Sequence, residues 1–317
     1  METSLLDLQA SVQDKQAFSA LADYSRLCNV FLEFVERTQP TRIVSPTHHN
    51  YIFYQYEEAY DHKITRPLNI DLFIESSPVF RNAFDRFIDF LADLKRHQDE
   101  IVGQKGAKRY IESNEVNKVV YTVQQAIGSI GDSFENPNQS RKRVGQLFET
   151  LIKLTIQEVG VECEPRTINL PIPGYPGYQM PYELDLVFSR DKAIIAAENN
   201  FIHFTEIVGS VKTTSKDRLD KIFLDKYLLT KLLGRDVSVV AIFLHDVQRA
   251  RKGNSIFGIN STFERNHFLG YTVALNRLDG VYYVDPRPEM ITDMRLHEQI
   301  SDFQKFLVSD LWTLSSG

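Results

Sequence analysis

Apolar side chains recur at helical spacing through the first half of the chain. Residues 14–37 predict a helix, with Phe18, Leu21, Leu27 and Phe31 on its buried face. Residues 79–96 are strongly amphipathic, with Phe80, Phe84, Phe87, Ile88 and Leu91 on one stripe. Residues 114–130 predict another helix. Between the first two lies a tyrosine-rich stretch, residues 51–60. Residues 131–140 (Gly-Asp-Ser-Phe-Glu-Asn-Pro-Asn-Gln-Ser) are polar and turn-forming, and mark the best domain boundary.

The texture then changes. Residues 141–159 predict a helix that buries Val144, Leu147, Phe148, Leu151, Ile152 and Ile156. Residues 161–170 read as a strand, followed by a Pro- and Gly-rich breaker at 171–177. Residues 182–189 and 204–212 read as strands. Residues 217–233 form a helix closed by Gly234, and the β-branched run 237–244 is a buried strand. Further strands are expected within 271–284, and a helix over 300–311. The order αβββαβ over 141–244 predicts an α/β core, a mixed central sheet flanked by helices. The expected organisation is a mainly helical N-terminal region, 1–135, used for dimerisation and DNA contacts, and a catalytic core, 136–317.

Composition narrows the class. Hydrophobic residues are 43% and charged residues 25% of 317, an ordinary globular balance. No apolar run approaches the roughly 18 residues of a membrane span. The first residues lack the basic-then-apolar order of a secretory signal, so a cytoplasmic setting is expected. Two cysteines, Cys28 and Cys163, do not make a disulfide framework or a structural zinc site. The net charge of −6 argues against indiscriminate binding of nucleic acid. Basic residues cluster at 141–143, 212–226 and 249–252, and such runs are ordinarily solvated faces.

The chemistry-bearing pattern lies on two neighbouring strands. In Glu183-Leu-Asp185-Leu-Val-Phe188, alternation puts Glu183, Asp185 and Val187 on one face. A carboxylate inside so apolar a strand is costly unless it binds something. In Glu206-Ile-Val-Gly-Ser210-Val-Lys212, alternation joins Glu206, Val208, Ser210 and Lys212, which brings Lys212 towards Asp185. Asp185 and Lys212 read equally as a structural ion pair or as half of a hydrolytic site. Ser210 cannot act as an ionised ligand, so a second carboxylate must come from elsewhere. Asp225 shares a helical stripe with Arg218, Ile222 and Leu229, which can turn it to the sheet end. An i,i+4 pair with Lys221 is the alternative.

The run Gly209-Ser-Val-Lys-Thr-Thr-Ser-Lys-Asp-Arg218 resembles the active-site motif of type II restriction endonucleases of the EcoRII/SsoII/NgoMIV branch of the PD-(D/E)xK nucleases. The resemblance covers about residues 139–285 and is strongest to SsoII-like and PfoI-like enzymes. It implies a Mg²⁺ cofactor, with Asp185 as central ligand and Lys212 as the cation that orients or activates the nucleophile. Asp225 becomes the displaced acidic ligand from the following helix, where the family more often has Glu. Leu184 stands where the family motif often has proline. Glu149 resembles a further family acid on the preceding helix; as a cap or salt-bridge partner it would be structural. Lys216, Asp217 and Arg218 resemble the segment that reads adjacent C·G pairs, for which Arg, Lys and Asp have matching donors and acceptors. The alternative is a capping Asp217 between solvated bases. Gln139 resembles a glutamine near the central base pair, and Arg143 is a further candidate DNA contact. Tyr51, Phe53, Tyr54 and Tyr56 read as core or as base-stacking partners, and Trp312 as a packing anchor.

The reading that follows is a type II restriction endonuclease acting on double-stranded DNA at a palindrome built on CCNGG. It would leave 5′-phosphates and 5′ overhangs. A homodimer is expected, with pairing into a tetramer left open, no membrane association, and a cognate DNA methyltransferase as functional companion. Two rivals use the same residues: a structure-specific repair or recombination nuclease, and a DNA-binding protein that has lost catalysis.

Overall fold

A computed structural model of the protein describes residues 2–98, 114–197 and 201–315. These fall into two compact units that interleave along the chain rather than meeting at one cut near residue 135. The first comprises 1–90, 114–151 and 246–262; the second comprises 91–113, 152–245 and 263–317.

The first unit is built around the helix Glu115–Gly131, buried along nearly its whole length. A helix so enclosed must satisfy its polar side chains internally. Gln124 donates to the carbonyl of Val144 at 3.0 Å, and Gln125 to that of Pro67 at 3.2 Å. Helices Leu5–Gln13 and Leu21–Thr38 belong to the same unit. The second starts at Leu21 rather than near residue 14. There the Asp23 carboxylate accepts the backbone N–H groups of Ser19 and Ala20, at 3.1 and 3.0 Å, and fixes the helix start. The tyrosine-rich stretch is the middle strand of a small antiparallel sheet, β1 (Thr41–Val44), β2 (Tyr51–Gln55) and β3 (Leu68–Asn69). Tyr51, Phe53, Tyr54 and Tyr56 are buried, which makes them core.

The second unit carries a six-stranded mixed sheet. Its strands are β4 (Glu162–Pro171), β5 (Gln179–Ser189), β6 (Ile207–Thr214), β7 (Val239–His245), β10 (Gly280–Tyr283) and β11 (Ile300–Asp302). They lie in the order β11-β10-β7-β6-β5-β4. The pairs β4–β5 and β5–β6 are antiparallel; β6–β7, β7–β10 and β10–β11 are parallel. Every residue of β7 is buried, as a central parallel strand requires. The helix Leu219–Leu233 connects β6 to β7 and packs Leu219, Ile222, Phe223 and Leu229 into the core of this sheet. It ends on Gly234 in the left-handed conformation, φ 68°, which lacks the Cβ penalty there. The expected α/β architecture with a mixed central sheet is therefore present.

Several local expectations change. Residues 271–274 end a helix, Arg265–Ala274, so only β10 in that region is a strand. Residues 300–302 are strand β11, and the helical turns that follow run from Phe303 to Leu314 with a π-type segment over Phe306–Asp310. Residues 204–206 precede β6 rather than forming part of it. Trp312 is fully buried and donates its indole N–H to the carbonyl of Leu307 at 2.7 Å. The remaining strands, β8 (Val247–Lys252) and β9 (Ser255–Ser261), form a two-stranded hairpin in the first unit. No described helix is long and apolar enough to cross a membrane.

Candidate active site

Strands β5 and β6 pair through Leu186↔Gly209, Val187↔Val208 and Phe188↔Ile207, and the ladder stops there. Beyond Leu186 the backbone N–H of Val211 turns to a side chain: it donates to Asp185 Oδ2 at 3.0 Å. Ser210 Oγ donates to the same oxygen at 3.2 Å, and Lys212 Nζ at 2.5 Å. Three donors thus converge on one carboxylate oxygen at the fork where the two strands part. Oδ1 of Asp185 accepts no hydrogen bond from any described residue. Asp185 and Lys212 keep 23% and 28% of their side-chain surface exposed, so the pair is partly desolvated yet open to a ligand.

Asp225 lines the same recess from the helix Leu219–Leu233. The recess also includes Tyr182, Glu183, Gly209, Arg218 and Lys221. The recorded partner of Asp225 is the Tyr182 hydroxyl, which donates to Oδ1, and not the alternative partner Lys221. Burial, then the adjacent carboxylate, push the Tyr182 phenol far above its ordinary value. The phenol is the donor of this hydrogen bond. Periodicity provides no signal for Tyr182. Period-two alternation assigns it to the face opposite Asp185, yet both line the recess.

The donor set suits a hard cation. Asp185 and Asp225 offer carboxylate oxygens, and among the described residues the recess holds no histidine or cysteine. Among the described residues no group of three or more His, Cys, Asp or Glu converges. Mg²⁺ is commonly held by one or two carboxylates with water and substrate phosphate completing its shell, so two suffice. Both cysteines are buried thiols whose pKa values burial raises, which removes them as nucleophiles.

Lys216, Asp217 and Arg218 are exposed and form a turn between β6 and the helix. The helix begins at Leu219, two residues later than expected, so Asp217 is not its cap. Asp217 instead takes the left-handed conformation, φ 52°, which aspartate tolerates better than most residues. Arg218 occupies the cap position without a side-chain capping bond, so the first N–H groups of the helix lack a side-chain acceptor there.

Glu149, Gln139 and Arg143 belong to the first unit, on the helix Pro137–Glu158. Glu149 is half-buried and Gln139 exposed. On the same helix the Ser140 hydroxyl donates to the carbonyl of Gly131 at 2.7 Å. Arg143 donates to the carbonyls of Val12 and Asp14 at 2.7 and 2.6 Å, so its guanidinium ties the chain's first segment to this helix.

Glu206, which alternation joins to the site face, is structural. It makes a two-bond ion pair with Arg166 at 2.7 and 2.8 Å, with side-chain exposures of 0% and 9%. Lys226 likewise pairs with Asp279 at 2.7 Å, on the buried side of the helix.

No protein-family model and no curated protein matches the chain in sequence. Among solved structures its fold is that of a restriction-endonuclease domain: the crystal structure of the type IIP restriction endonuclease Kpn2I superposes with a TM-score of 0.67. That match covers 98% of this chain and 97% of Kpn2I at 16% identity. The restriction endonuclease PspGI, in complex with substrate DNA, matches over 75% of this chain and 92% of its own at 14% identity, with a TM-score of 0.38 too low to carry weight.

Proposed function

We propose that this protein is a Mg²⁺-dependent type II restriction endonuclease that cuts both strands of a palindromic DNA site. The observation that carries the reading is the convergence of Ser210, Val211 and Lys212 on Asp185 at a strand fork, with Asp225 lining the same recess. A fold shared with Kpn2I supports it.

Asp185 and Asp225 would hold the metal, which when bound polarises the scissile phosphate and makes a water more acidic. Ser210 and the Val211 N–H fix the orientation of the Asp185 carboxylate. Lys212 holds a positive charge beside it, where it can orient the attacking water and offset charge developing on the phosphate. Tyr182 holds the shorter Asp225 side chain in the recess. The resemblance makes Glu149 a further acidic residue.

Lys216, Asp217 and Arg218 form the proposed reading segment. Arg218 suits a bidentate contact to guanine O6 and N7, Lys216 the same edge, and Asp217 the amino group of cytosine. Gln139 is assigned to the centre of the site. Because Arg143 already serves two backbone carbonyls, it is given no base-reading role. The resemblance of residues 209–218 to SsoII-like enzymes points to a CCNGG core cut before its first C, leaving 5′-phosphates and a 5′ overhang. Two-fold symmetry of such a site calls for a homodimer, and the host would need a methyltransferase to protect its own copies.

Digestion of a plasmid of known sequence with Mg²⁺, followed by run-off sequencing of the ends, tests the reading. Discrete bands with staggered cuts at a CCNGG-type site are expected. Arg218→Ala should lose those bands. Intact plasmid would overturn the catalytic assignment, and a smear would favour a structure-specific nuclease.

A further inference from the structure

The β8–β9 hairpin concentrates positive charge in a way that its own unit does not need. Residues 247–261 contain Arg249, Arg251 and Lys252 and no acidic residue, within a chain of net charge −6. All three cations are exposed. Six of the eight other arginines of the first unit meet carboxylates: Arg26 with Asp23, Arg37 with Glu2, Arg42 with Glu75, Arg66 with Asp132, Arg81 with Glu33 and Arg86 with Glu115. Among the described residues neither hairpin arginine nor Lys252 is in an ion pair; Arg251 reaches only the carbonyl of Gly253, at 3.4 Å.

The hairpin is also built to hold its shape. Two strands alone are marginal in water and need an apolar anchor. Here Val247 and Ile259 are buried against Tyr51 and Phe53 of β2, and Phe257 packs its ring on Phe53, centroids 5.5 Å apart. The Ile259 N–H donates to Thr47 Oγ1 at 3.2 Å. Further out the register shifts, with Ile256 and Phe257 of β9 opposite the single residue Arg251, so the bulge lies in β9. Gly258 accommodates this. A Cβ there would lie 2.3 Å from Lys252 Cγ and 2.9 Å from the Ala250 carbonyl, so glycine lets the lysine stem cross its partner strand. The turn closes on Gly253, φ 58°.

We propose that this hairpin is an arm that grips the phosphate backbone of duplex DNA through Arg249, Arg251 and Lys252. The inference rests on the reading of the protein as a DNA endonuclease. The chemistry fits: guanidinium forks match phosphate oxygens, and duplex DNA presents a charge about every 1.7 Å along its axis. Such contacts supply affinity without sequence information, which complements a separate reading segment.

The test is a salt titration of binding without divalent metal. It compares the full-length protein with its triple variant Arg249→Gln, Arg251→Gln, Lys252→Gln. Each lost phosphate contact lowers the slope of log K against log salt by about 0.9, so three should lower it by about 2.7. The ratio of affinities for the cut site and an unrelated duplex should stay within about twofold, since backbone contacts carry no sequence information. An unchanged slope overturns the arm. So does a variant that loses the ratio while keeping the slope, or one that self-associates in light scattering with its slope intact, the sign of charges that merely guard strand edges. Cleavage by the unmodified protein with no slope change in the variant removes the arm alone. Binding and a slope change without cleavage under Mg²⁺ remove the nuclease reading alone.

Discussion

Asp185 is surrounded by the donors that a catalytic carboxylate needs to stay in one orientation, and each comes from a different kind of group: a hydroxyl, a main-chain amide and an ammonium. Such side chains can be separated by what their loss costs. On the proposed reading Lys212→Ala removes the cation that would stand beside the scissile phosphate, and the cleavage rate should fall by at least about 100-fold while binding to the site persists. Cleavage within a few-fold of normal would remove Lys212 from the chemistry. Tyr182→Phe should behave differently. It leaves Asp225 in place but without the hydroxyl that orients it, and loss of such an outer partner typically weakens metal binding about 10–100-fold. The Mg²⁺ concentration for half-maximal rate should rise accordingly, with the rate at saturating Mg²⁺ less affected. A change in rate with no change in Mg²⁺ requirement would mean that Tyr182 serves packing only.

At the scale of elements, the recess exists because β6 changes partners along its length. It is antiparallel to β5 only as far as Gly209, while its parallel pairing to β7 continues to Thr214. The end of β6 is therefore held by backbone pairing on one side, while on the other its donors turn to the Asp185 side chain. The start of β6 is held by the Arg166–Glu206 pair, which also receives the His203 N–H at 2.9 Å. Glu206→Gln leaves a buried guanidinium without its counter-charge, at a cost of about 3–5 kcal/mol. Melting should drop by roughly 10 °C at about 2–4 °C per kcal/mol. The double variant Arg166→Met, Glu206→Leu should recover most of that loss, since apolar replacements of a buried pair are often neutral. A single variant that melts normally would show that the pair contributes no net stability. The turn Lys216–Arg218 is the other element with a consequence. Because the helix starts only at Leu219, its three exposed polar side chains sit on a left-handed turn rather than on a regular helical face.

At the scale of the whole molecule, the expected homodimer has a direct check. Sedimentation of the protein with a duplex carrying its site should give two chains per duplex, and a single chain per duplex would remove the symmetric reading. Much of this molecule was legible in its sequence. The buried run that became β7, the helix closed by Gly234, and the pairing of Asp185 with Lys212 follow from periodicity, because local spacing decides which side chains share a face. Local spacing could not decide which acid joins them. Glu206 has the parity of the site strand yet is consumed by Arg166, a residue 40 positions earlier, and Asp225 is held by Tyr182, 43 positions earlier. Nor could it divide the chain, since residues 246–262 belong to the unit built largely from the first 151 residues. The sequence by itself determined the strands β5, β6 and β7, the helix between β6 and β7, and the chemical types available at the fork. Only the tertiary structure decided which of several equivalent carboxylates reaches the recess, because that choice depends on partners brought together across the fold.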